Sequence, residues 1–233
     1  MARWSYTQKG SRPARRPPEP LPAPLPPETR TVGQLVAESI RAYGKDFWRV
    51  VPLGFPVAVL EWLAYGTSDA DKQTLLLWLL SPAFAACFVW ATIIVSGVPF
   101  DRDSAMVAFL VGVAVFIPFP LLARILVLPG LVYLGVIGLS VPAALLERLD
   151  FRDAFRRGFE LGRADVVHSV GGLATLTIVF GVSAYALAYL LHGAGGQAVR
   201  VAATLGDLVL SPVVFLGSAL LYFDQKARLE LRA

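Results

Sequence analysis

Residues 75–98 read LLLWLLSPAFAACFVWATIIVSGV and contain no charged side chain. A bilayer hydrocarbon core of about 30 Å is crossed by about 20 mostly apolar helical residues, so this run is long enough to span a membrane. It is also too uniform to be one face of a water-soluble helix. Working outward, Ala105 to Leu146 contains a single charged residue, Arg124, and apolar stretches of the same kind fill most of the chain from Phe47 to Phe223. The fold class this predicts is an all-α membrane protein.

Composition agrees. The 233 residues are 56% hydrophobic and only 16% charged, well below the roughly 25% usual for soluble domains, and mean hydropathy is +0.61. The single cysteine, Cys87, lies in an apolar run, which excludes an internal disulfide and a cysteine-rich metal site. Residues 1–30 lack the apolar core of a signal peptide, so the first span is expected to act as the insertion signal.

Six spans are predicted, at about 47–65, 75–98, 105–122, 125–147, 167–191 and 199–223. The 42 residues from Ala105 to Leu146 are too many for one crossing and suit two. Pro118, Pro120 and the Pro129-Gly130 pair are all candidate breakers for the turn between them, whose place stays open. Basic residues sort by loop. Counted with the termini and every second loop, 18 Lys and Arg fall on one side, and only Lys72, Arg124 and Arg200 on the other. By the positive-inside rule both termini are expected in the cytoplasm of a bacterial cell, with the protein multi-pass in its cytoplasmic membrane.

Two segments flank the spans with a different pattern. Residues 1–30 are rich in Pro and Arg and are expected to form a disordered basic tail ahead of a 31–233 transmembrane domain. Thr31 then reads as an N-cap, followed by Val32, Leu35, Val36, Ile40, Tyr43 and Phe47 at three- and four-residue steps. Phe151, Phe155 and Phe159 recur four apart and so advance only about 40° per step around a helix. Both stretches are predicted to be amphipathic helices lying in the interface. Arg152, Arg156, Arg157 and Arg163 are expected to face lipid, with anionic headgroups as the partner. Gly158 and Gly162 weaken such a helix, so membrane contact is expected to support it. Tyr43-Gly44-Lys45-Asp46-Phe47 aligns with Leu161-Gly162-Arg163-Ala164-Asp165, which raises the idea of an internal duplication.

Several of these residues carry a resemblance. The amphipathic start from Thr31-Val32-Gly33-Gln34-Leu35 to Tyr43-Gly44-Lys45-Asp46-Phe47-Trp48, the Leu128-Pro129-Gly130-Leu131-Val132-Tyr133 turn and the Val141-Pro142-Ala143-Ala144-Leu145-Leu146-Glu147 span end all belong to it. So do the helix from Ala154 to Gly162 and the terminal Leu221-Tyr222-Phe223-Asp224-Gln225-Lys226-Ala227-Arg228-Leu229-Glu230. Together these resemble bacterial multi-pass proteins related to the membrane domain of glycerophosphoryl diester phosphodiesterases. The last motif departs from the family, which more often has a second Tyr and an Arg near Phe223 and Gln225. The resemblance implies a six-helix membrane module. It does not imply phosphodiesterase chemistry, which in those enzymes belongs to a soluble barrel domain with no counterpart in this sequence.

Motifs for catalysis are weak. His168 and His192 fall at opposite ends of the fifth span, and no phosphate loop, HExxH or nucleophile motif occurs. No enzymatic activity, cofactor, metal or nucleic-acid partner is expected. Buried charge is the better lead, because a charge at membrane depth costs several kcal/mol unless paired or wet. Asp207, Glu61, Arg124 and Arg200 form a candidate polar cluster on the less basic side, with Arg124 or Arg200 expected to pair with Asp207. Small-residue steps at Ala202/Gly206, Thr177/Gly181 and Ala184/Ala188 read as packing within the bundle, while a homo-oligomer or protein partner is compatible with them. The function expected is a non-enzymatic membrane scaffold or accessory subunit. The alternative is a small secondary transporter with its site around Asp207.

Overall fold

Four of the helices are begun by an aspartate whose side chain accepts from their first turn. Asp69 accepts from the N–H groups of Asp71 and Lys72, Asp101 from Ser104, Asp150 from Asp153, and Asp165 from His168. A carboxylate there satisfies donors that the helix itself leaves unpaired. At Asp101 the hydroxyl and N–H of Ser104 both donate, which holds its carboxyl below the usual range. The computed structural model describes residues 26–191, 193 and 195–232. It is 86% helical with no strands among the described residues, and six helices are long and apolar enough to cross a membrane. The protein is an all-α multi-pass membrane protein.

The helices are α1 (Val32–Lys45), α2 (Phe47–Val50), α3 (Phe55–Ala64), α4 (Ala70–Ser96), α5 (Arg102–Phe116) and α6 (Phe119–Ile125). They continue as α7 (Val127–Ile137), α8 (Ser140–Leu146), α9 (Phe151–Ala164), α10 (Val166–Leu190), α11 (Gly196–Leu210) and α12 (Pro212–Glu230). The spans are Phe47–Ala64, Ala70–Ser96, Arg102–Ile125, Val127–Leu146, Val166–Leu190 and Gly196–Glu230. The predicted proline tail falls mostly on residues 1–25, and His192 is a single position; both lie outside the described residues.

The third and fourth spans part at Leu126, the one extended residue between α6 and α7 (φ −158°, ψ 149°). None of the candidate breakers makes this turn. Pro118 and Pro120 instead open α6, and Pro129 sits in the first turn of α7. Those are the positions where a missing N–H costs a helix nothing.

Two apolar clusters make the core. One gathers Phe88, Val89, Val111, Val115, Val141 and Phe215 among α4, α5, α8 and α12. The other joins Leu35 of α1, Leu139, Leu161 of α9, Leu173, Leu176 and Leu221. Helix α12 is central, packing on α1, α4, α9 and α10. Small residues set close approaches within the chain: a Cβ on Gly206 would stand 2.7 Å from Leu187 of α10. Gly181, by contrast, has nothing within 4 Å.

The helix α9 forms over 151–164 as expected, but its packing differs from the expectation. Its buried face is Ala154, Gly158, Leu161, Gly162 and Ala164, while Phe151 and Phe159 stay nearly half exposed. A Cβ on Gly158 would stand 2.4 Å from the Ser140 nitrogen, and one on Gly162 would stand 2.4 Å from the Val136 carbonyl oxygen. These glycines therefore let α9 dock backbone-to-backbone on the fourth span, and that protein contact supports the helix. Helix α1 likewise buries Leu35 and Ser39. Helices α1 and α9 both end at an aspartate, Asp46 and Asp165, and the next helix starts at once. That structural match is offset by one residue from the sequence alignment, so Gly44 and Gly162 are not equivalent; Gly44 has no neighbour within 4 Å.

Candidate functional site

The densest polar chemistry lies where residue 30, the α9–α10 junction and the end of α12 meet. Asp224, with no exposed surface, accepts from Arg30 Nη1 at 2.6 Å and sits 3.2 Å from His168 Nε2. His168 Nδ1 lies 3.3 Å from Arg228 Nη2. A guanidinium only donates, so Nδ1 accepts and the Nε2–H is the donor to Asp224. Asp165 receives the His168 N–H at 3.0 Å and Arg228 Nη1 at 2.8 Å, and Arg228 Nη2 donates to the Arg30 carbonyl at 2.8 Å. Gln225, fully buried, bonds both backbone groups of Asp165 through its amide, at 2.9 and 3.0 Å.

Two arginines face two aspartates here, and both imidazole nitrogens are occupied. The arrangement is a charge-balanced fastener that leaves no base free to take a proton from a substrate. A second cluster continues it. Glu147 accepts from Arg157 Nε at 2.9 and 3.2 Å and from the Tyr222 hydroxyl at 2.7 Å, with Lys226 at 3.8 Å. Burial works against the Arg157 charge, but the Glu147 bond and charge, with help from Glu160, more than offset it and hold its pKa above the ordinary value.

Arg157 is accordingly not a lipid-facing residue, which corrects the sequence expectation. It turns inward because Glu147, at the end of the fourth span, needs a cation. Arg152, Arg156 and Arg163 do face outward; Arg156 is 80% exposed beside Glu160, and Arg163 lies over the Phe159 ring at 5.2 Å.

At the opposite end the four predicted residues separate. Arg124 pairs with Asp71 at the start of α4. Arg200 donates to the Trp62 carbonyl at 2.6 Å, with its guanidinium 4.0 Å from the Trp62 ring centre and 5.6 Å from that of Tyr65. Glu61, half-buried on α3, is within electrostatic range of Asp207. Asp207 is 8% exposed, with no ion pair or hydrogen bond through its side chain among the described residues. The expected arginine pairing is therefore absent. Arg200 stands two turns up the same helix, about 10 Å along the axis, and its cation finds aromatic faces instead.

The hydroxyls of Thr204 and Ser211 are also buried without partners. Positions 204, 207 and 211 share one face of the sixth span. No group of three or more metal-ligating side chains occurs among the described residues. Sequence reasoning missed the fastener entirely. Its signal was present in Asp224, Gln225 and Arg228, one helical turn of polar residues closing a long apolar span. No family model matches the chain, and no curated protein or solved structure matches it either.

Proposed function

We propose that this chain is a non-enzymatic membrane scaffold or accessory subunit of a bacterial cytoplasmic membrane, with both termini cytoplasmic and its basic end engaging anionic lipid. The observation that carries this reading is the double orientation of α9. Its small-residue face is locked onto the fourth span, while Arg152, Arg156 and Arg163 project outward from a helix that cannot turn. Each basic residue held near an anionic surface contributes about 1 kcal/mol of attraction. The motif residues quoted from the amphipathic start to the α12 end make the membrane-domain group its proposed family.

The test is lipid selectivity. Purified protein in mixed phosphatidylglycerol–phosphatidylcholine nanodiscs is expected to retain the anionic lipid preferentially by native mass spectrometry. The triple variant R152Q/R156Q/R163Q should lose that preference. Equal retention of both lipids by the wild type would reject the reading.

One observation favours the transporter alternative: Asp207 is buried without a cation beside interruptions in two spans. Discontinuous helices with a polar group at their break are the usual build of a transport site. Proteoliposomes that dissipate an imposed ion gradient, and cease to when Asp207→Asn is introduced, would displace the scaffold reading.

A further inference from the structure

A cavity of about 240 Å³ lies among all six spans, lined by residues from Val57 of the first to Leu221 of the sixth. Its wall is almost wholly apolar. Phe84, Phe88, Phe116 and Phe215 form an aromatic side with ring centres 5.8 to 6.4 Å apart. Four hydroxyl-bearing residues reach it: Ser81, Thr177, Ser211 and Ser218. Ser81 and Ser218 spend their hydroxyls on the carbonyls of Leu77 and Val214 in their own helices. Ser211, 2% exposed, has no partner.

Water is a poor occupant of such a space. A buried water needs two to four polar partners, and a cavity walled by Leu, Val and Phe stays dry. The residues 1–25 are chemically wrong for it as well, since they carry arginines and prolines with no apolar run. Left empty, this partly open recess forfeits the dispersion contacts of its apolar lining. The lining belongs to membrane spans, so the medium available at that depth is hydrocarbon. The recess has room for a stretch of a hydrocarbon chain.

We propose that this intramembrane cavity is a binding site for one acyl chain of a bilayer phospholipid. The chain completes the packing among the spans, and the rigid aromatic wall sets its path. This inference stands whether the protein serves as a scaffold or a transporter.

The experiment uses the full chain in phosphatidylethanolamine–phosphatidylglycerol vesicles doped with a phosphatidylcholine that carries a diazirine at the middle of one acyl chain. After illumination, crosslinked peptides are mapped by mass spectrometry. Labels are expected on cavity residues such as Phe84, Leu134 and Phe180, in addition to outward-facing Ile178 and Val182. Two single fillers on different spans, Thr177→Phe and Ser218→Phe, should each lower cavity labelling about tenfold, the effect of excluding one or two methylenes from an apolar site. Labelling at Ile178 and Val182 should not change, which also reports that the variant is folded. Three results would overturn the proposal: wild-type labels confined to the outer surface, fillers without effect on cavity labels, or cavity labelling by a diazirine fatty acid but not by the phospholipid.

Discussion

Replacing Gly162 with alanine separates two accounts of α9 by the sign of its effect. If the helix were a free interfacial element, alanine would stabilise it by about 1 kcal/mol, the ordinary gain in helix propensity. In the docked arrangement the new Cβ would stand 2.4 Å from the Val136 carbonyl oxygen and 2.5 Å from its Cα. Ordinary contact begins at 3.4 Å, so the two backbones must part by 3.4 − 2.4 = 1.0 Å. Both atoms are main chain and cannot rotate aside. Overpacking of this kind costs about 1–3 kcal/mol, and the same shift loosens Leu161 and Ala154 in their clusters.

The expected net for Gly162→Ala is a loss of about 1–2 kcal/mol once the propensity gain is subtracted. Gly158→Ala, whose Cβ would meet three atoms of Ser140 between 2.1 and 2.6 Å, should lose at least as much. Gly44→Ala is the control: nothing lies within 4 Å of its Cβ position, so it should be neutral or gain up to about 1 kcal/mol. Reversible unfolding in mixed micelles titrated with dodecyl sulfate reads the stability, and protease cleavage within 147–166 reads the docking. A Gly162→Ala protein as stable as the wild type, with that segment equally protected, would refute the docked arrangement.

Gly54→Ala places a Cβ 2.1 Å from the Leu208 carbonyl oxygen and should cost about 3 kcal/mol or more in the same titration, by prising the first and sixth spans apart. Asp224→Ala strands Arg30 without its carboxylate and is expected to lose about 3–5 kcal/mol, the usual effect of breaking a buried pair from one side. Asp207→Asn should lose nothing or give a small gain, because no cation is left unpaired; a loss on the scale of Asp224→Ala would show a partner for that carboxylate. Asp101 has a depressed pKa, so its cap contributes above the ordinary carboxylate range and fades as pH falls through its own lower value. Asp101→Ala should flatten that acid limb of the stability curve.

The spans were legible because a bilayer demands length and apolarity, and both are local properties of sequence. Residues 75–98 need no partner to be read as a crossing. The cap at Thr31 was legible for the same reason, lying three residues before its donor. Burial directions were not. Phe151, Phe155 and Phe159 made an obvious apolar edge, yet α9 docks through Ala154, Gly158 and Gly162, the smaller face. Close approach to a neighbour outweighs hydrophobicity where the neighbour's backbone is exposed, and which neighbour that is depends on tertiary structure. The turn at Leu126 was hidden by prolines that begin helices as readily as they end them. The fastener was hidden because its members, Arg30, Asp165, His168 and Asp224, span almost the whole chain.

The two interrupted spans explain each other. Pro52, Gly54 and Pro56 break the first, leaving a short 3-10 stretch at Val51–Gly54, and Ser211 with Pro212 breaks the sixth. Interrupted backbone exposes polar groups that hydrocarbon cannot satisfy, so such breaks persist only where protein covers them. Here each supplies the other's cover. Gly54 lies against Leu208 more closely than any side chain would permit, and Leu53 and Ser211 are almost wholly buried. Asp207 adjoins that contact. A carboxyl facing lipid would cost several kcal/mol, whereas here it is buried beside the paired breaks. Prolines in the first and sixth spans, a glycine at their crossing and an aspartate one residue from it are thus a single structural unit. Substituting the glycine should disturb the sixth span as well as its own, because its contact with Leu208 is backbone to backbone.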